Sequence, residues 1–310
     1  MDIGMKAFAK WVMKGRMQAV IAATVLAILA LLVTPLAMIS AAVVALTVLR
    51  QGPREGVLVV ISALLAIGGL GGLLFQMPLA TVLIGVALWG PAAVLGGVMG
   101  RTNSLRLAIE GAVVFAAGIV LLQYVLIDDP TAFWADMLNQ FLVQRIDAET
   151  LAASNLGQLV ETMSGWMAGG VAATWFLSTV VTLLLARYWA SMLDSPGAFG
   201  EEFRQLRFGL WLLILVPVLL GAGVLMTGGK PNLFGQLYLV GMVVFLIQGV
   251  SMVHGLVADA QGSSAWLVGL YLLLFLVAPQ GATIVSLAGY ADGWLDFRKR
   301  ARARRSNGDD

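Results

Sequence analysis

The sequence predicts an all-α, polytopic helical membrane protein of about eight to ten transmembrane segments, with an external amphipathic helical insertion. Three observations predict it. The chain is 60% hydrophobic and 12% charged, where a soluble domain has about 45–50% apolar and 25% charged residues. No water-soluble fold hides that much apolar surface, and charge is what lipid excludes. The apolar residues gather in runs, several near the ~20 residues that cross a hydrocarbon core. Lysines and arginines then cluster at the ends of these runs, which assigns sides.

The clearest stretch is a hairpin with arginines at both open ends. Arg50 and Arg54 precede an apolar run from Val57 to Phe75; Gln76-Met77-Pro78 breaks it; a second run from Leu79 closes at Arg101. Gly68/Gly72 and Gly96/Gly100 are GxxxG pairs, which favour tight helix packing over chemistry.

Before the hairpin, residues 1–16 place Lys6, Lys10 and Lys14 on one helical face, with Met5, Phe8, Trp11 and Val12 largely away from it. This reads either as a basic amphipathic helix on the membrane surface or as a frayed tail of flanking charge. No cleavage site follows, so the run from Met17 is expected to stay as a membrane helix. A single helix from Met17 to Arg50 would be about 50 Å long. It would also carry Arg50 and Arg54 to the side opposite the basic N-terminus. Two segments, about 17–33 and 36–49, with a break at Pro35, are expected instead. Ala19, Ala23 and Ala27 form a small-residue stripe on the first, a candidate surface for docking a partner helix.

After the hairpin, a segment from Leu105 to Ile127 contains Glu110 one turn beyond Arg106. An intramembrane carboxylate is a functional candidate, but this spacing and shallow depth favour a structural ion pair. Residues 128–165 are the one long polar insertion. Asp129-Pro130 has the form of an N-cap with proline at N1. Phe133, Trp134, Met137, Leu138, Phe141 and Leu142 then recur at helical period, followed by Leu151, Leu156, Leu159, Val160 and Met163. Two helices lying on the outer surface, apolar faces down, are expected. Trp166 to Trp189 crosses back, and a mixed-charge loop with a short surface helix runs to Arg207. Phe208–Met226 and Leu237–Val257 cross again. The second carries Gln248, Ser251 and His254 at three-residue spacing, a candidate intramembrane polar site. The last run, Ala265 to Trp294, is broken at Pro279-Gln280-Gly281, and a basic tail follows.

With the N-terminus inside, this count leaves only Arg145 and Lys230 as external basic residues, provided the last run crosses twice as a short hairpin bent at Pro279. Both termini are then cytoplasmic. The organisation expected is a basic amphipathic segment (1–16), a membrane core (17–189) bearing the insertion (128–165), C-terminal membrane helices (190–297) and a basic cytoplasmic tail (298–310).

The alanine-striped first helix, the Arg50/Gly52/Arg54/Gly56 turn, the glycine-rich hairpin, the external insertion, Pro196 to Arg204, and the Asp-Gly-Trp-Leu-Asp-Phe-Arg-Lys-Arg run from Asp292 to Arg300 together resemble the YybS-like family of bacterial integral membrane proteins, a domain family of unknown function. That family is distantly similar to the substrate-binding S-components of energy-coupling-factor vitamin transporters. The resemblance implies a bacterial cytoplasmic membrane. It also implies an S-component-like region over about 17–189, whose alanine stripe would dock a coupling subunit.

Chemistry is mostly excluded. Cysteine is absent and His254 is the single histidine, so thiol nucleophiles, zinc–thiolate sites and multi-histidine metal sites are ruled out. HExxH, GxSxG, paired intramembrane carboxylates and a phosphate-cradling GxxxxGK[ST] are all missing. The expectation is a non-enzyme without cofactor or metal. Its partners would be the lipid bilayer and a membrane protein met through the first helix or the cytoplasmic loops, and no nucleic acid. Two functions remain: a small-solute binding or transport subunit lacking its own ATPase, or a non-transporting scaffold or regulator of envelope proteins. Polar groups converging deep in the bundle favour the first; a bundle filled with Leu, Val and Gly favours the second.

Overall fold

Proline and glycine set most helix boundaries in this chain. The computed structural model describes residues 2–143 and 156–306, and the regular elements in them are all helices. They are α1 (Asp2–Val12), α2 (Arg16–Leu29), α3 (Leu36–Gln51), α4 (Pro53–Phe75), α5 (Pro78–Thr102), α6 (Leu105–Leu126), α7 (Pro130–Val143), α8 (Leu156–Ser164), α9 (Met167–Asp194), α10 (Ala198–Arg204), α11 (Leu210–Thr227), α12 (Leu233–Asp259), α13 (Ala265–Leu276), α14 (Ala278–Leu295) and α15 (Phe297–Ser306). Pro53, Pro78 and the Pro279 of α14 lie in first turns, where the missing N–H costs nothing.

Among the described residues, six helices are long and apolar enough to cross a membrane, namely α4, α5, α6, α9, α11 and α12, and the chain is a multi-pass membrane protein. The other four expected segments are shorter or less apolar: α2, α3 and α13 have 14, 16 and 12 residues, and α14, with 18, carries Pro279, Gln280 and Asp292. At 1.5 Å per residue they reach about 18–27 Å, against a core of about 30 Å. They come as two folded-back pairs. The first breaks between Leu29 and Leu36, at Pro35 as the sequence predicts. The second breaks at Val277 (φ −121°, ψ 47°), just ahead of the expected Pro279. A proline is accommodated inside a first turn, so the kink falls on the residues preceding it.

Compactness divides the chain elsewhere than at residue 190. One unit is Met1–Ala112 with Leu177–Leu206; the other is Val113–Phe176 with Arg207–Asp310. The boundaries fall inside α6 and α9, because continuous helices contribute one half to each set of contacts.

In the first unit α3 is the centre. Every residue from Ser40 to Val48 is buried, and α2, α4 and α5 all pack on it. Small side chains permit this: a Cβ at Gly96 would lie 2.8 Å from Ala45 O, and one at Gly100 3.2 Å from Leu49 O. The Gly96/Gly100 pair of α5 is therefore the seat of α3. Ser40 ties the packing, donating to Ala23 O (2.7 Å) and accepting from the buried Trp89 Nε1 (2.9 Å). On the near side of α2, α1 turns away by 118°. It is an ordered helix rather than a frayed tail, with Ala9 and Val12 buried and Phe8 against Trp189.

In the second unit the centre is α12, with 56% of its apolar window buried against 22% for α11. Ser286 donates to Met242 O, Gln248 to Gly289 O, and Arg302 to Asp259. The residue numbers rise together, so α14 runs parallel to α12. The chain thus reverses between α13 and α14, and α15 emerges at the same end as Asp259. Asp129 caps α7 by accepting from Ala132 N–H (3.0 Å), and α7 packs on α8. Phe133, Met137 and Phe141 stay exposed along one side of α7, the arrangement a bilayer-facing helix needs. The expected roles of Arg145, Asp147, Glu149 and Leu151 lie outside the described residues.

Candidate functional site

The α12 stripe splits into two environments. Gln248 and Ser251 are fully buried. The Gln248 amide joins three segments: its Oε1 accepts from Phe208 N–H (2.9 Å) ahead of α11, and its Nε2 donates to Gly289 O (2.8 Å) in α14. The contact is possible because glycines face each other where the helices cross. A Cβ on Gly289 would overlap Phe245 O and the Gly249 backbone. Ser251 lies 3.4 Å from the Arg298 guanidinium. His254, one turn further, is only half-buried and shares a 2.9 Å hydrogen bond with Tyr271 of α13. Three-residue spacing therefore does not bring the three side chains to one point. A run of i, i+3, i+6 drifts round the helix, so Gln248 meets α14, Ser251 meets Arg298 of α15, and His254 meets α13.

Beyond Ser251 lies a group that sequence reasoning assigned to the cytoplasmic tail. Arg298 is 3% exposed and Asp292 0%; they pair at 2.7 Å. The other Asp292 oxygen accepts from Phe297 N–H (3.0 Å), closing the turn into α15. Arg207 clasps the same turn from outside, donating to the Asp292 and Gly293 carbonyls and to Asp296 (2.6 Å). Asp296 itself is in the left-handed region (φ 49°). Burial alone would raise its carboxyl, but the Lys299 N–H and the Arg207 charge outweigh this and hold it below the usual carboxylate value. Arg298 is thus packed into the bundle, whereas Lys299 and Arg300 beside it are exposed. The signal was present as an aspartate within the last apolar run, six residues ahead of an arginine.

The opposite end of this unit is also cross-linked by amides. Gln236, buried, accepts from Gly169 N–H (2.7 Å) and donates to Gly165 O. Gln123 bonds Ala168 O and the Trp134 indole, fixing α7 to α6. Asn232 caps α12 and reaches back to Gly223 O. Beside it is a cavity of about 170 Å³ whose wall includes Trp166, Lys230, Asn232 and Tyr238. Ligand pockets usually hold about 300–1,000 Å³, so this one takes a few waters or a very small solute.

In the first unit Glu110 is nearly buried and accepts from Arg106 Nε at 2.8 Å, while Arg106 is half exposed. Depth and spacing are those of a pair at a helix end. Ala19, Ala23 and Ala27 are 1%, 0% and 8% exposed. They are covered by the chain's own helices, α3 among them, which takes the place the stripe would offer to a partner. Around this end of the unit runs a series of ion pairs: Arg16–Glu55, Arg50–Asp194 and Arg187–Glu202. Glu202 also accepts from Leu105 N–H (2.9 Å), placing an anion at the start of α6. These bonds gather Arg16, Arg50, Arg187 and the start of α6 at one end, as the charge pattern predicts.

Next to them is a larger cleft, about 460 Å³, between α1, the end of α9 and α10. Its wall is apolar and aromatic, with Tyr188 edge-on to Phe199. Ser191 holds the α10 turn by accepting from Phe199 N–H and donating to Ser195 O. Sequence reasoning saw the two phenylalanines of this loop but not the cleft, which needs α1 folded across α2. Among the described residues no group of three or more acidic or histidine side chains could hold a metal. No family model, no curated protein and no solved structure matches this chain.

Proposed function

We propose that this chain is a non-catalytic scaffold or regulatory subunit of the bacterial inner membrane, with both termini in the cytoplasm, rather than a carrier of solutes. The observation that carries the reading is Gln248. It is the deepest polar side chain of the candidate stripe, and both ends of its amide are spent joining α12 to α14 and to the start of α11. Gln236 is spent the same way at the other end. Polar residues used as glue between helices give a rigid bundle, whereas a solute site keeps convergent donors and acceptors for its ligand. The positive-inside rule directs the basic ends, including exposed Lys299 and Arg300, to the cytoplasm. A partner would be met there, since the alanine stripe is already covered. On the sequence resemblance alone, the YybS-like membrane proteins are the first to compare with it.

Gentle purification followed by mass spectrometry tests this reading. The expected result is a stoichiometric protein partner that is lost from a K299E/R300E variant of normal abundance, with no small molecule released on denaturation. A stoichiometric small molecule without a protein partner would overturn it in favour of the solute-binding subunit. The cavity near Asn232 and Lys230 is where such a molecule would then be sought.

A further inference from the structure

We infer that the cleft between α1 and α10 is a binding site for the phosphate headgroup of an anionic phospholipid from the adjoining leaflet. The geometry has three parts. First, α1 leaves α2 at 118°, so it lies across the membrane helices, as an interfacial helix does. Second, the cleft's volume of about 460 Å³ falls in the range of ligand pockets. Its apolar wall of Ile3, Met192 and Phe199 suits the glycerol backbone and first methylenes of an acyl chain. Third, the charges at its mouth are of one sign. Lys6 and Arg204 line it, and no acidic residue does.

Of the nearby acids, Asp194 pairs with Arg50 and Glu202 with Arg187, and Glu201 does not line the cleft. Arg204 is steered into place by its own helix, since its Nε donates to Gly200 O (2.8 Å). Among the described residues Lys6 has no ion pair, so its ammonium is available to a phosphate. An ammonium and a guanidinium on either side of an apolar slot recognise a headgroup phosphate with its chain attached better than a free anion. The slot gains only from the chain.

The test uses the full-length protein in detergent, where no charged bilayer surface contributes. Phosphatidylglycerol, phosphatidylcholine of the same chains, and inorganic phosphate are each titrated, with lipid adducts counted by native mass spectrometry and thermal midpoints followed in parallel. Phosphatidylglycerol should bind as one retained molecule and raise the midpoint, and the other two should not. K6Q should weaken phosphatidylglycerol binding by about five-fold or more, the worth of one basic residue at an anionic surface. K10Q, on the same helix but outside the cleft, should change it less than two-fold. R204Q should act like K6Q; because Arg204 also bonds its own helix, K6Q is the deciding variant. Unchanged binding in K6Q, an equal loss in K10Q, equal binding of phosphatidylcholine, or an equal effect of inorganic phosphate would each overturn the assignment.

Discussion

The charged ends of the two units use the same chemistry to different effect. In the first, three arginine–carboxylate pairs are spread around the rim, with side-chain exposures of 48%/35%, 28%/55% and 20%/25%. In the second, which also has the partly exposed pairs Arg207–Asp296 and Arg302–Asp259, the pair Arg298–Asp292 sits at 4%/0% beneath Arg207. Water competes for the first set and salt screens it, so each pair contributes about 0–1 kcal/mol. The buried pair is held in a medium that penalises either charge left alone. The contrast separates an adjustable rim from a fixed clasp. Placement, not the number of charges, decides which is which.

The sharpest way to break this contrast is to leave one buried charge unpaired. Asp292→Leu should destabilise the protein by about 3–5 kcal/mol, read as the midpoint of a denaturant titration in micelles. Asp292→Leu with Arg298→Met should recover most of that loss, because no charge then remains buried. A double variant as unstable as the single one would show that the pair does not behave as an isolated charge couple.

Gln248→Leu comes next. It strands the Phe208 N–H and the Gly289 carbonyl in an apolar interior, each a loss of about 1–3 kcal/mol. His254→Asn, one turn away in a half-open position, should cost about 0.5 kcal/mol or less, since an amide keeps a bond to Tyr271. A His254→Asn penalty matching that of Gln248→Leu would mean the stripe acts as one site after all.

Smaller still is the rim. Arg16→Gln and Arg50→Gln should each shift stability by about 1 kcal/mol or less, and high salt should shrink the difference from wild type. A larger, salt-insensitive loss would place the rim with the clasp. The smallest effect expected is a pH dependence at Asp296. Its carboxyl is held below the ordinary 3.8 in the folded protein. The stabilisation is therefore complete above that value and is lost as pH falls through the lower, folded-state value. Thermal midpoints measured from pH 6 downward should fall less steeply below pH 4 in Asp296→Asn than in wild type. Parallel curves would remove Asp296 from the account.

The sequence made the long helices legible because each carries its own signal: an apolar run, a breaking proline, a flanking arginine. The reversal before Pro279 followed from the Pro279-Gln280-Gly281 break and from charge together, since the positive-inside rule returns the basic tail to the side of Arg207. What could not be read was which polar residue meets which. Gln236 carried no local mark, for a lone glutamine near a helix start looks solvated until Gly169 is seen to leave room for it. Asp292 and Arg298 were assigned apart because the turn at Asp296, which folds α15 back, is a tertiary event. The Ala19/Ala23/Ala27 stripe reads as a close-approach surface, but small residues do not say whose helix approaches.

The 12-residue α13 bears on the lipid as much as on the protein. At about 18 Å it ends some 12 Å short of the far edge of an ordinary hydrocarbon core. The following turn bears Pro279 and Gln280, both exposed, and a glutamine does not rest against acyl chains. The bilayer beside this turn therefore has to dimple inward until headgroups and water reach it, at a modest energetic cost per ångström of mismatch. Stability is therefore expected to depend on membrane thickness: in vesicles of graded chain length, the thermal midpoint should be highest in lipids thinner than those that suit α12 alone.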